Sequence, residues 1–194
     1  MPKFETKKRK LGPYGPWVIN STETVYGDPF VEVQVDQVVR PDQQNGQHVV
    51  VFIKPGVCVL PVDDEKNVYL TNEFHYAIGR ESVEGVSGGI ESGIDKSPLE
   101  TAQRELAEEL GLAAENWQHL TTVDPFTTPM ASPTALYVAT GLSEVPRSPE
   151  GTELIQRVKI PLVLAKQKVV SGEITHAPTC ILLLLAADQL DSLL

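Results

Sequence analysis

At 194 residues, 41% of them hydrophobic, the chain can hold one core with an extended N-terminal segment, or one and a half domains. Its formal charge of −10 argues against nucleic acid as the main partner, because binding a phosphate backbone needs a basic surface. The longest apolar run, Cys180 to Ala187, is too short to span a bilayer, and no apolar stretch follows the basic N-terminus as in a signal peptide, so a soluble, cytoplasmic protein without a membrane partner is expected.

Residues 1–16 read as a flexible tail. Its basic run Lys7-Lys8-Arg9-Lys10 suits a localisation signal, a contact with an anionic surface or a solvated tail, and carries no assigned function. Val31, Val33 and Val35 then alternate with Glu32, Gln34 and Asp36, the period-two signature of a half-buried strand. Pro41 through Gly46 is a turn-rich break. Strands are predicted over 49–53, 57–62 and 68–70, with 63–67 as the hairpin between the last two. Further strands follow at 119–123, 135–140 and 154–160, then helical patterns at about 162–170 and 178–190, separated by Gly172. Strands dominate first and helices punctuate later, which favours an α+β fold, an α/β/α sandwich on a mixed sheet with a small N-terminal antiparallel β segment, over a doubly wound parallel fold. Cys58 and Cys180 lie far apart without a metal-site companion and read as buried thiols. Of the four histidines, only His75 is a functional candidate; none has paired ligand spacing.

The helix between these strand groups carries the chemistry. Ser97-Pro98-Leu99-Glu100 has a Ser N-cap, Pro at the first helical position and Glu at N3, and Gly111 supplies a left-handed C-cap, which sets a helix over 98–110. Leu99, Ala102, Leu106 and Leu110 form its apolar stripe, and the glutamates are expected to face away. Glu105, Glu108 and Glu109 stand at i, i+3 and i+4, so their carboxylates project from one face toward a shared point. Clustered carboxylates repel unless a cation sits among them, and hard oxygen donors favour Mg²⁺, or Mn²⁺, over zinc. The competing reading is a solvated acidic face. Upstream, the glycine-rich stretch Ser87 to Asp95 is a loop whose backbone could approach a phosphate or a metal.

Loop, capped helix and carboxylate triplet together resemble the Nudix box, G-x5-E-x7-R-E-U-x-E-E-x-G-U with U aliphatic; the match from Arg104 to Leu112 is complete. Counted from Gly89, Asp95 stands at the first acidic position in place of Glu, and eight residues instead of seven separate it from Arg104. Over residues 17–187 the chain is similar to the ADP-ribose pyrophosphatase branch, through Glu23 to Phe30, Phe126-Thr127-Thr128-Pro129, Glu153 to Leu162 and Gly172 to Thr179. The resemblance implies an N-terminal β segment at 17–48 that docks on a partner subunit in a homodimer, where its residues help to hold adenine, and a hydrolase domain at 49–194. Trp17, Tyr26 and Phe30 are the aromatics available for stacking on a base.

By the same resemblance, Glu105 and Glu109 are the principal metal ligands, Glu108 is a further ligand, and the backbone carbonyl near Gly88 completes the site. Arg104 orients the glutamates. Glu150 or Glu153, flanking Gly151-Thr152 in a proline-marked loop, is the base or an additional metal ligand, with the choice between the two residues open because a one-residue shift of alignment exchanges them. Asn72-Glu73-Phe74-His75 replaces the Arg-Gln-aromatic-Arg strand of many relatives, which leaves Arg80, His75, Glu84 and Met130 as the substrate-binding candidates. The expected reaction is Mg²⁺-dependent hydrolysis of a nucleoside diphosphate sugar, first of all ADP-ribose to AMP and ribose 5-phosphate. Hydrolysis of another nucleotide sugar such as ADP-glucose, and a non-hydrolytic ADP-ribose sensor, are the alternatives.

Overall fold

The computed structural model describes residues 9–91, 93–148 and 154–193. Two compact units emerge, one from residues 1–55 and 126–133, the other from 56–125 and 134–194. The sequence division at 48/49 falls inside a strand, β4.

In the first unit, β1 (Gly12–Tyr14), β2 (Trp17–Gly27), β3 (Val31–Val39) and β4 (Asn45–Ile53) form an antiparallel meander, and β10 (Met130–Ala131) adds to β4 in parallel. Two expectations are corrected here. The tail is not free throughout residues 1–16: Gly12–Tyr14 pairs with Trp17–Ile19, and the side chain of Arg9 is bound. The phase of β3 is also reversed. Gln34, Asp36 and Val38 are buried, while Val31, Val33 and Val35 are only half-buried. Arg9 explains the reversal, since Nη1 lies 2.7 Å from Asp36 and Nη2 donates to Gln34 at 3.2 Å, while Thr22 Oγ1 donates to Asp36 at 2.8 Å. A polar face goes inward because its groups are paired there.

In the second unit, a mixed four-stranded sheet runs in the order β8 (Val86–Gly89), β5 (Gly56–Pro61), β11 (Thr134–Glu144) and β9 (Leu112–Val123); β5 and β11 are parallel, the other pairs antiparallel. A three-stranded antiparallel sheet has the order β12 (Gln156–Pro161), β6 (Asn67–His75) and β7 (Arg80–Glu84). Alternation along β5 and β11 sorts the core into two layers. Val57, Val59, Ala135, Tyr137 and Ala139 pack with Ala102, Leu106 and Leu110 of α1 (Pro98–Leu110). Cys58, Leu60, Leu136 and Val138 face the other way, onto Leu162 and Ala165 of α2 (Leu162–Val170), Leu182 and Leu183 of α3 (Ala177–Leu193), and Val68 and Leu70 of β6. This is the expected α+β architecture with helices on both faces of a mixed sheet. Leu106 is fully buried, so Leu106→Ala is expected to cost about 2–5 kcal/mol and to unseat α1.

The hairpin predicted at 63–67 is present. Asp63 N–H donates to Asn67 O, Asp63 Oδ1 accepts from the N–H of Glu65 and Asn67, and Lys66 takes a positive φ of 63°. The glycine-rich stretch is not wholly a loop, because Val86–Gly89 is a strand paired with β5.

Candidate active site

Helix α1 begins and ends where its capping residues dictate. Ser97 Oγ accepts from Glu100 N–H at 3.2 Å, Glu100 returns a bond to Lys96 N–H at 2.9 Å, and Gly111 closes the helix at φ 64°, ψ 39°. The glutamates do not all face away. Glu109 is buried at 6% exposure, Glu105 is largely covered and Glu108 is half-exposed. Because β8 crosses beside the helix, a Cβ built on Gly88 would coincide with the Glu105 carboxylate, so any side chain there would displace Glu105. Gly56 serves the same place from β5, since its own Cβ would stand 3.1 Å from the Gly88 carbonyl oxygen. Sequence reasoning missed Gly56, whose role appears only when β5 and β8 are paired.

Arg104 is the hub of the acidic cluster. Nη1 donates to Glu108 at 2.8 Å, Nη2 lies 3.0 Å from Glu105, and Nε and Nη2 lie 3.3 and 3.2 Å from the two Asp95 oxygens. Burial opposes the charge on Arg104, but Asp95, Glu105 and Glu108 outweigh it and raise its proton affinity. Burial likewise pushes the Asp95 carboxyl up, while bonds from Arg104 and from Glu91 N–H prevail and hold it below the ordinary value. Ile94 and Asp95 N–H both donate to Glu91 O, and from this turn the shorter Asp95 still reaches Arg104 despite the extra residue between them.

Among the described residues no three acidic, histidine or cysteine side chains are gathered closely enough to hold an ion, so the expected convergence of the triplet is not preformed. Arg104 pairs with two of the three, so a cation would have to compete with that guanidinium for Glu105 and Glu108. The donor set nevertheless fits a hard divalent ion: carboxylate oxygens, beside a strand whose glycine lets the backbone come close to Glu105.

Arg147 is a second residue that sequence reasoning missed. Its Nε donates to Glu109 O at the end of α1 and its Nη2 to Ile155 O at 2.8 Å, while Ser148 N–H donates to Glu108 O at 3.3 Å. A cation on helix-terminal carbonyls suits the dipole there. Glu150 and Glu153 lie outside the described residues. Of the substrate-binding candidates, His75 and Glu84 are brought together at 3.2 Å; Arg80 is exposed and donates to Thr175 Oγ1 at 2.8 Å. Met130 belongs to the first unit, where it lines a cavity of about 270 Å³ with Tyr14, Trp17, His48 and Phe52. Trp17 meets His48 edge-to-face at 5.6 Å, and Arg9 lies over the Phe52 ring at 5.3 Å. Tyr26 and Phe30 are exposed and line no part of this cavity. No helix among the described residues is long and apolar enough to cross a membrane.

The NUDIX domain model matches residues 53–169. The chain is 30% identical over 159 residues to the ADP-ribose pyrophosphatase of Mycobacterium tuberculosis, covering 81% of this chain and 76% of that protein. It is 28% identical to the methanol dehydrogenase activator of Bacillus methanolicus, covering 82% and 86%. Its fold is similar to that of an ADP compounds hydrolase of known crystal structure, with a TM-score of 0.75 at 20% identity, over 95% of this chain and 98% of that one.

Proposed function

Because the chain belongs to the Nudix family, as a Nudix pyrophosphatase, we propose that it hydrolyses a nucleoside diphosphate linked to a sugar, with ADP-ribose the first substrate and AMP and ribose 5-phosphate the products. The observation that carries this reading is the seating of Glu105 against Gly88, beside Glu108 and buried Glu109 on α1, in a chain whose relative from M. tuberculosis is an ADP-ribose pyrophosphatase.

Glu105 and Glu109 would hold Mg²⁺, or Mn²⁺, with Glu108 and the Gly88 carbonyl assisting. When bound, the ion supplies neutralisation of diphosphate charge and acidification of water. Arg104 keeps the carboxylates apart and oriented through its bonds to Asp95, Glu105 and Glu108. Arg147 joins residues on either side of the segment that carries Glu150 and Glu153, one of which takes the proton from the attacking water. The aromatic cavity of the first unit, with Trp17 in its wall, has the flat apolar surfaces that a nucleobase stacks on. Met130 in that wall bears on the base, whereas Arg80, His75 and Glu84 belong to the second unit. The free thiols Cys58 and Cys180 suit a reducing, cytoplasmic setting, and a homodimer is the proposed assembly.

A panel of nucleoside diphosphate sugars, assayed for nucleoside monophosphate release with Mg²⁺ and after chelation, tests the proposal. ADP-ribose should give the highest kcat/KM, with activity abolished by chelation. Faster turnover of ADP-glucose would move the substrate assignment, and activity undiminished by chelation would remove the metal role.

A further inference from the structure

A helix leaves its last carbonyls without partners inside the helix. In α1 the Gly111 N–H takes the Ala107 oxygen at 3.0 Å, but the next two carbonyls, those of Glu108 and Glu109, are taken from far along the chain. Ser148 N–H donates to Glu108 O at 3.3 Å, and Arg147 Nε donates to Glu109 O. Gly111 O accepts from Val145 N–H at 2.9 Å. This segment passes so close to the helix end that a Cβ on Gly111 would lie 3.0 Å from Val145 O and 3.2 Å from Arg147 Cβ. Residues 145–148 are therefore the seat of the last turn of α1, the turn that carries Glu108 and Glu109.

Two clasps hold the seat. Arg147 Nη2 donates to Ile155 O at 2.8 Å. Beyond it, Arg157 of β12 donates to both oxygens of Glu144, the last residue of β11, from Nη1 at 3.2 Å and from Nη2 at 2.9 Å. Because β11 belongs to the four-stranded sheet and β12 to the three-stranded one, this pair ties the two sheets together. It does so where α1 ends, since Glu144 stands opposite Leu112, the residue after the Gly111 cap. Arg157 is also fixed from its own side. Its guanidinium lies over the Tyr69 ring at 4.6 Å; the Tyr69 hydroxyl donates to Asp63 Oδ2 at 3.2 Å, and Lys159 Nζ is 2.8 Å from the same oxygen.

We infer that Glu144 and Arg157 are positioning residues for α1: their paired side chains fix where residues 145–148 stand, and through the bonds to Glu108 O and Glu109 O that segment sets the placement of the two glutamates. The inference rests on the reading of these glutamates as metal ligands. An exposed ion pair by itself contributes little to stability, and the Glu144 side chain is exposed. This pair is bidentate and backed by a ring, an arrangement that fixes direction as well as charge. Its effect is therefore on the geometry of the helix end more than on the stability of the fold.

Glu144→Gln and Arg157→Gln, singly and together, test this. Exchange of the Val145 and Ser148 amides, followed by NMR on the full chain without metal or substrate, should be about threefold or more faster in each single variant, within the range of an exposed pair. The double variant should be no faster than either single one, because residues that act through each other lose the same interaction once. The two substitutions change the net charge in opposite senses, so a shared direction of effect separates the clasp from long-range charge. In turnover assays kcat should fall and the Mg²⁺ concentration for half-maximal rate should rise, with KM for the nucleotide sugar little changed. Wild-type exchange in both single variants overturns the inference, as do effects that add in the double variant. Faster exchange with kcat and Mg²⁺ requirement unaltered overturns the positioning role. Exchange that follows the clasp in a chain inactive on every nucleotide sugar supports the clasp and overturns the proposed function.

Discussion

Gly88 and Glu105 are packed so closely that a methyl group at position 88 would occupy the space of the Glu105 carboxylate. Gly88→Ala is therefore expected to displace Glu105 and to lower kcat by about a hundredfold or more, with circular dichroism unchanged because β8 is a short outer strand of its sheet. Gly56→Ala should be milder, since its Cβ would press on the Gly88 carbonyl from 3.1 Å, a contact that a few tenths of an ångström relieve. Steady-state kinetics on both variants check the ranking.

Removing one carboxylate should distinguish ligands from neighbours. Glu105→Gln and Glu109→Gln should each reduce kcat by about a hundredfold or more. Glu108→Gln should cost less, because this side chain is half-exposed and already shared with Arg104. Full turnover in the first two variants would exclude α1 as the catalytic helix.

The loop base is decided by kinetics. Glu150→Gln and Glu153→Gln should show one large and one modest loss of kcat, with KM changed less. Arg147→Ala should lower kcat as well, since it frees the Ile155 carbonyl from α1. Equal and full activity in both glutamine variants would place the base elsewhere.

Acid should weaken the second unit. Burial pushes the Asp63 carboxyl up, but bonds from Lys159 and Asn67 prevail and hold it at about 2, against an ordinary 3.8; Asp95 is also lowered. Both folded values lie below the unfolded ones, so this stability is present above about pH 4 and is lost as pH falls toward the folded values. For Asp63 the loss is on the order of 1 kcal/mol once solvent screening is discounted. Urea midpoints at pH 6 and pH 3 should differ less in Asp63→Asn than in the wild type.

Arg9 should matter to the first unit far more than a tail residue would. Arg9→Ala leaves the buried Asp36 carboxylate with only Thr22 among its present partners, at an expected cost of about 3 kcal/mol. Thermal unfolding measures it, and sedimentation of the intact chain at micromolar concentration tests the proposed dimer, which a monomer hydrolysing ADP-ribose would exclude.

What could be seen in the sequence was local. Ser97, Pro98 and Gly111 specify α1 by capping chemistry that needs no neighbours, and its bounds match the expectation. The hairpin at Asp63 is of the same kind. What escaped notice depended on partners distant in the chain. The inward face of β3 could not be read from its valines, because Arg9, far from Asp36 in sequence, decides it. Gly88 looked like loop because glycine hides strand propensity, and its pairing with Val57 is tertiary. Arg147 gave no signal, since its ligands are backbone carbonyls, which carry no sequence identity. His176 shows no paired ligand spacing in the sequence, yet it and His75 both come within 3.2 Å of Glu84, a proximity made by segments distant in the chain.

The clip made by Arg147 separates two demands on the same stretch of chain. By holding Glu109 O and Ile155 O on one guanidinium, it fixes residues 147 and 155 to the end of α1 whatever lies between them. A change of sequence between those two fixed points is therefore expected to cost the folded core little, because lengthening a connection between fixed ends adds only a small entropy. A library randomised between those fixed points with Glu150 and Glu153 kept should accordingly retain folded members far more often than one randomised across Gly85–Gly89.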